Sequence, residues 1–189
     1  MRPIIGITAD RSDGRFRIGE NYANCVAKAG GVPVILPPVL GEEERFLDLC
    51  DGFVFSGGDD PVMEQWSIKT HPSTTRCDEQ RQQFETSLLT ELSTYPDKPV
   101  LGICLGMQVL STIGFEYGKT RGLNFIEAEV KPILVDAKIP HMGFNTLEVL
   151  ESSELLNGIE NKEFYFMHSF EVVNYKNVIS LTDYNGHKF

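Results

Sequence analysis

The stretch "PVLGICLGMQVL", residues 99–110, decides how this chain is read, because it sets a cysteine between two glycines where an apolar run gives way to a helix-like pattern. A buried strand that turns straight into a helix lifts the residue at the turn above the sheet, so Cys104 is expected to hold its sulfur there, exposed. A helix beginning near Leu105 would put partial positive charge beside the thiol and favour thiolate. Gly102 and Gly106 take away side chains that would clash in so sharp a turn, and they leave backbone N–H groups open to a substrate oxygen. The competing reading of these residues alone is a buried cysteine filling a gap behind the sheet, as most free cysteines do.

Upstream, "PIIGITAD" (3–10) reads as a short buried strand, since its apolar run is continuous rather than alternating. Helical spacing follows from Tyr22 to Ala29, Gly30 and Gly31 stop it, and "VPVIL" resumes as strand. "GEEERFLDLCDGFVFSGGDD" repeats the cycle with an acidic first turn suited to the positive end of a helix dipole, then the strand "GFVFS". Asp78 to Leu92 is a predicted helix with Phe84, Leu88, Leu89 and Leu92 on one face, followed by the strand "PVLGI". This alternation predicts an α/β fold: a parallel sheet covered by helices on both faces, with reactive groups at the carboxyl ends of its strands.

After about Gly114 the rhythm changes. "LNFIEAEVKPILV", "HMGFNTLEVL", "EFYFMHSFEVV" and "NVISLTDY" read as short strands joined by turns, so this part is expected to be antiparallel. The final "YNGHKF" holds an Asn-Gly pair, a strong hairpin signal. With so little chain after it, the hairpin's second strand is expected to be missing and the domain to be truncated at its C-terminal end.

Composition sets the frame. A chain of 189 residues suits one domain, residues 1–189, that buries roughly 70% of the surface its unfolded form exposes. A net charge of −10 opposes binding to nucleic acid or anionic membrane. Cys25, Cys50, Cys77 and Cys104 show no CxxC pairing, which speaks against a zinc site or a disulfide framework and fits a reducing cytoplasm. No metal or cofactor is called for. No run approaches the apolar length of a membrane span, and the N-terminus lacks a signal-peptide core.

"GICLGMQ" resembles the nucleophile motif of the class I glutamine amidotransferases, triad enzymes that cut the side-chain amide of glutamine. The resemblance implies a flavodoxin-like sheet, with Cys104 as the nucleophile that forms a thioester with the glutamyl group. "FSGGDD" (55–60) looks like the family's glycine loop. Backbone N–H groups of Gly57 and Gly58 would join that of Leu105 in an oxyanion hole, where one lost donor costs about 3 kcal/mol of transition-state stabilisation. Two subfamilies match different parts. "NYANCVAKAGGVPVILPP", "GFVFSGGDDP", "HP" at 71–72 and "DEQRQQFETSLL" resemble the γ-glutamyl peptide hydrolases. "CLGMQ", "GLNFIEAEV", "KIPHMGFNTLEVL" and "EFYFMHSFEV" resemble the glutaminase subunit of imidazole glycerol phosphate synthase. By that second likeness Gln108 and Glu116 hold substrate glutamine, Ser169 and Phe170 offer it main-chain contacts, and His141, Phe144, Asn145 and His168 face a (β/α)₈-barrel synthase that accepts ammonia. A tryptophan is more usual at Phe144. Taken singly, Glu116 reads equally as a solvated loop acid, Gln108 as a helix-surface residue and His168 as a half-buried strand histidine.

The family's histidine and glutamate come from a "HPE" segment, and none occurs here. His71 precedes a proline, His141 and His168 match other landmarks, and His187 lies near the end. Three functional readings therefore stand: a synthase-type glutaminase, a γ-glutamyl hydrolase acting alone, and a non-catalytic or chimeric scaffold that lacks the triad's acid/base pair.

Overall fold

A computed structural model describes residues 1–59, 62, 64, 76–116, 118–159 and 162–189. Asp60 of the glycine loop and the His71–Pro72 landmark lie outside them. By internal contacts the chain falls into two compact units, Met1–Leu110 and Ser111–Phe189.

The first unit runs β1 (Ile4–Thr8), β2 (Asp10–Ser12), β3 (Arg15–Arg17), α1 (Glu20–Lys28), β4 (Val32–Leu36), α2 (Glu43–Leu49), β5 (Gly52–Phe55), α3 (Glu79–Leu92), β6 (Val100–Gly102) and α4 (Leu105–Leu110). Its sheet is parallel, in the order β4-β1-β5-β6. Counting only these four strands, that is the doubly wound order in which the chain starts mid-sheet, steps one way and then crosses to the other side. The flavodoxin-like expectation holds. β1 is central because it is sequestered: Ile7 is fully buried, and a Cβ on Gly6 would lie 2.7 Å from Leu36 Cδ1.

Helix boundaries follow local chemistry. Gly30 takes φ 91°, the left-handed value a glycine tolerates, and Gly31 N–H returns to Val26 O, so α1 stops where the double glycine said it would. Asp78 caps α3 by accepting the backbone N–H of Arg81 at 3.0 Å. Phe84, Leu88, Leu89 and Leu92 are all buried, as their spacing predicts. Each such side chain removed from water contributes about 1.5–3 kcal/mol. β4 is an outer strand of this sheet and carries Pro33; its Val32 N–H is spent inward, on Pro3 O.

The second unit contains β7 (Ser111–Gly114), β8 (Thr120–Arg121), β9 (Ile126–Pro132), β10 (His141–Thr146), β11 (Glu148–Val149), a 3-10 turn (Glu154–Leu156), β12 (Glu163–His168), β13 (Phe170–Val173), β14 (Ser180–Leu181), β15 (Asp183–Tyr184) and β16 (His187–Lys188). Its ladders are antiparallel as expected, except that β7 pairs with β9 in parallel. The change of rhythm comes earlier than Gly114. α4 is only 6 residues long and β7 begins at Ser111, where β-branched Thr112 and Ile113 favour extended chain. "HMGFNTLEVL" divides into β10 and β11.

The expectation that the last hairpin lacks a returning strand is corrected. Asn185 (φ 56°) and Gly186 (φ 81°) form a tight turn with both central residues left-handed, and β16 folds back on β15. Thr182 and Phe189 then exchange both backbone hydrogen bonds, at 2.8 and 3.1 Å. Such a turn needs only a few residues to close, and His187, Lys188 and Phe189 suffice.

Candidate active site

Cys104 stands where the sequence put it, between β6 and α4, and its side chain is exposed. Its φ is 56°, a region in which a non-glycine residue is strained by roughly 1–2 kcal/mol. Neighbouring bonds hold it there. Ile103 N–H donates to Phe55 O at 3.2 Å, tying the turn to the end of β5, and Met107 and Gln108 N–H groups both reach Cys104 O. The flanking glycines are required by space. A Cβ on Gly102 would lie 2.6 Å from Gly106 C and 2.7 Å from Met107 N, and one on Gly106 would press on Phe55 at 3.2 Å.

The glycine loop after β5 converges on the same turn. A Cβ on Gly57 would lie 3.5 Å from Cys104 Cβ, so the loop passes the nucleophile candidate with space for about one added carbon between them. Gly57 N–H donates to Tyr22 Oη of α1 at 3.2 Å. Gly58 has no room for a side chain, because a Cβ there would sit 2.3 Å from Arg81 Nη1.

Sequence reasoning missed that arginine. Arg81 is 3% exposed and donates through Nη2 to Ser56 O (3.0 Å), Ser56 Oγ (3.2 Å) and Gly57 O (3.4 Å). Nη1 pairs with Asp10 at 3.1 Å and Nε with Glu85 at 3.0 Å. Burial works against the guanidinium's charge, but Glu85 and Asp10 outweigh it and push its pKa up. Glu85 is raised by burial, in part offset by Arg81. The i,i+4 spacing of Arg81 and Glu85 was legible in "DEQRQQFE"; the pairing with Asp10 across 71 positions was not.

Of the other sequence-predicted residues, Gln108 is half-buried on α4. The remainder lie in the second unit. Glu116 makes an isolated bridge with Gly118. Ser169 O accepts the N–H of Ile133 at 2.9 Å, and Phe170 opposite Pro132 opens β13. His141 is buried, stacked on Tyr184 with ring centroids 4.1 Å apart, and its Nδ1 lies 3.0 Å from His168 Nε2. His168 Nδ1 lies 2.8 Å from Phe170 O, which can only accept, so in the neutral pair His168 is protonated at Nδ1 and His141 donates to its Nε2. Burial first and His168 second lower the His141 pKa. Asn145 donates to Asp183 O at 2.6 Å. Phe144, 69% exposed, pairs edge-to-face with Tyr165, and exposed Met142 and Met167 oppose each other on the same ladder. A second pairing also escaped the sequence reading: His187 Nε2 lies 2.9 Å from both carboxylate oxygens of buried Glu171.

Comparison with known proteins adds three findings. The sequence profile of the family described as Peptidase C26 matches residues 3–116. Imidazole glycerol phosphate synthase subunit HisH 1 of Campylobacter jejuni subsp. jejuni (strain 81-176) is 50% identical over 95 residues, 49% of this chain and 47% of that protein. Subunit HisH of Archaeoglobus fulgidus is 42% identical over 101 residues, 52% of this chain and 51% of that protein. The chain thus spans about half the length of the curated relatives it matches. A crystal structure from Thermoplasma acidophilum, of a candidate GMP synthase component, superposes on 96% of this chain and 74% of its own with TM-score 0.58 at 19% identity, a likeness of fold alone. Among the described residues no helix is long and apolar enough to cross a membrane.

Proposed function

Starting from a chain that belongs to the Peptidase C26 family, we propose that it cleaves the side-chain amide of glutamine through Cys104 and passes the ammonia to a synthase subunit. One observation carries the reading: the left-handed turn at Cys104, with the Gly57 loop close enough that a single added carbon on Gly57 would touch its Cβ. In the proposed reaction the sulfur bonds to the amide carbon and the C=O electron pair moves to oxygen. Amide N–H groups of Gly57, Gly58 and Leu105 stabilise that oxyanion. Its collapse breaks the C–N bond as the proton that the thiol gave up passes to the nitrogen, releasing ammonia and a glutamyl thioester, which water hydrolyses to glutamate with a proton returned to the sulfur. The roles of Gln108, Glu116, Ser169 and Phe170 in holding glutamine rest on resemblance to the synthase-type glutaminases, as does the treatment of residues 1–189 as one amidotransferase-like domain.

The partner reading draws support from the exposed apolar face of β10 and β12, where Met142, Phe144, Tyr165 and Met167 stand in water. Its counterpart would be a (β/α)₈-barrel synthase. The match of residues 3–116 to Peptidase C26 favours a second reading, hydrolysis of γ-glutamyl peptides or amines without a synthase.

Mass spectrometry of the chain quenched with glutamine tests the chemistry. One glutamyl adduct at Cys104, with ammonia release and loss of both in Cys104→Ser, is the expected result. Neither adduct nor ammonia would overturn the reading. A rate on γ-glutamyl amines exceeding that on glutamine, unchanged when a barrel synthase is added, would replace the synthase reading by the stand-alone one.

A further inference from the structure

The loop that would stabilise the oxyanion is gripped from behind. Arg81 Nη2 reaches the carbonyls of both Ser56 and Gly57, the second at the longer distance of 3.4 Å. The Ser56 carbonyl belongs to the peptide whose N–H is that of Gly57, and the Gly57 carbonyl to the peptide whose N–H is that of Gly58. In a trans peptide C=O and N–H point in opposite directions. A group that fixes both carbonyls therefore fixes the direction of both amides. For Gly57 that direction is marked by a bond: its N–H reaches Tyr22 Oη, on the side where Cys104 Cβ lies.

We infer that Arg81 is a positioning residue for the oxyanion loop, turning the Ser56 and Gly57 carbonyls toward itself so that the Gly57 and Gly58 amides face the Cys104 side. Three further features fit this role better than that of a plain core ion pair. The guanidinium is itself held from two sides, by Glu85 Oε1 on its own helix and Asp10 Oδ1 on β2, so its plane cannot swing. Gly58 leaves the space the guanidinium occupies, since any side chain there would collide with it. A cationic donor on each carbonyl also polarises the peptide and strengthens its N–H as a donor. The inference rests on the amide-cleaving reading of Cys104.

Glutamate γ-semialdehyde separates the two. Its carbonyl takes the Cys104 sulfur, the C=O pair moves to oxygen, and that oxygen gains the proton the thiol gives up, so the adduct uses the oxyanion hole without any leaving group. Iodoacetamide alkylates the same sulfur with no oxyanion. The wild-type chain is expected to be protected from alkylation at Cys104 by the aldehyde. In Arg81→Lys, which keeps the charge but loses the fork, aldehyde affinity should fall roughly a hundredfold, as for a lost oxyanion donor, while the alkylation rate without aldehyde stays within about twofold. Equal aldehyde affinity in the two proteins overturns the inference, and so does an equal fall in both measurements, which marks general damage to the site. No protection of the wild type overturns the amide-cleaving reading before any variant is made. If Arg81→Lys does not fold, Asp10→Asn, which frees one side of the guanidinium at a partly exposed carboxylate, replaces it with a several-fold loss expected and an unchanged affinity overturning the inference.

Discussion

The two units of this chain keep their shape by different means. In Met1–Leu110 the main chain is crowded at Gly6, Gly31, Gly52, Gly58, Gly102 and Gly106, where an added Cβ would strike neighbours, and open at the left-handed glycines Gly14, Gly30 and Gly41. In Ser111–Phe189, Gly114, Gly118, Gly143, Gly158 and Gly186 have nothing within 4 Å. The first unit buries large rings such as Phe53, Phe55 and Phe84, whereas the second leaves Met142, Phe144, Tyr165 and Met167 exposed. One half is specified by what will not fit. The other relies on turn chemistry and on a cluster of histidines and aromatic rings.

Substitutions of one kind made in both halves put that contrast at risk. Phe84→Ala, at 0% exposure with the Phe46 ring 5.8 Å away, should cost about 3–5 kcal/mol in urea unfolding; Phe144→Ala should stay within about 0.5 kcal/mol. Comparable losses would mean that Phe144 is packed in a way its exposure denies. Gly102→Ala, forced onto backbone atoms of the following helix, should cost about 1–3 kcal/mol and slow any chemistry of Cys104. Gly114→Ala should be close to neutral by the same measurement.

Acid should act on the second unit through His141. Its pKa is lowered by burial and by His168 from an ordinary 6.5. Above that value the folded and unfolded rings are both neutral and stability does not respond. Below it the unfolded ring binds a proton that the folded ring refuses, so stability falls as pH drops, by at most about 1.4 kcal/mol per pH unit. His141→Gln should flatten that part of the thermal unfolding profile, and an unaltered slope would remove His141 as its cause. Gly186→Ala should cost about 1 kcal/mol in the same urea unfolding measurement by straining a left-handed turn, with no clash to add to it.

Legibility followed the same divide. Apolar runs and glycine stops marked β1, α1, β5 and the Cys104 turn, because each is dictated within a few residues; the buried face of α3 was readable from Phe84, Leu88, Leu89 and Leu92 for the same reason. Arg81, Tyr22 and Glu171 were not. Each acts on a partner distant in sequence, Asp10, Gly57 and His187 respectively, and no periodicity encodes such meetings. The hairpin at Asn185–Gly186 was read correctly as a turn and wrongly as an unfinished one, because Thr182 and Phe189 had not been counted as a pair.

Pro33 gives the first sheet a property unrelated to catalysis. Because Val32 spends its N–H toward β1, the next nitrogen along β4 points away from the sheet, and there proline offers no hydrogen. An approaching strand from another molecule would find a gap in the row of donors, although Val32 and Ile35 lend that rim an adhesive apolar character. Pro33→Thr would restore the missing donor, and the expected outcome is more edge-to-edge association, read as a rise in thioflavin fluorescence of concentrated solutions over the unsubstituted chain.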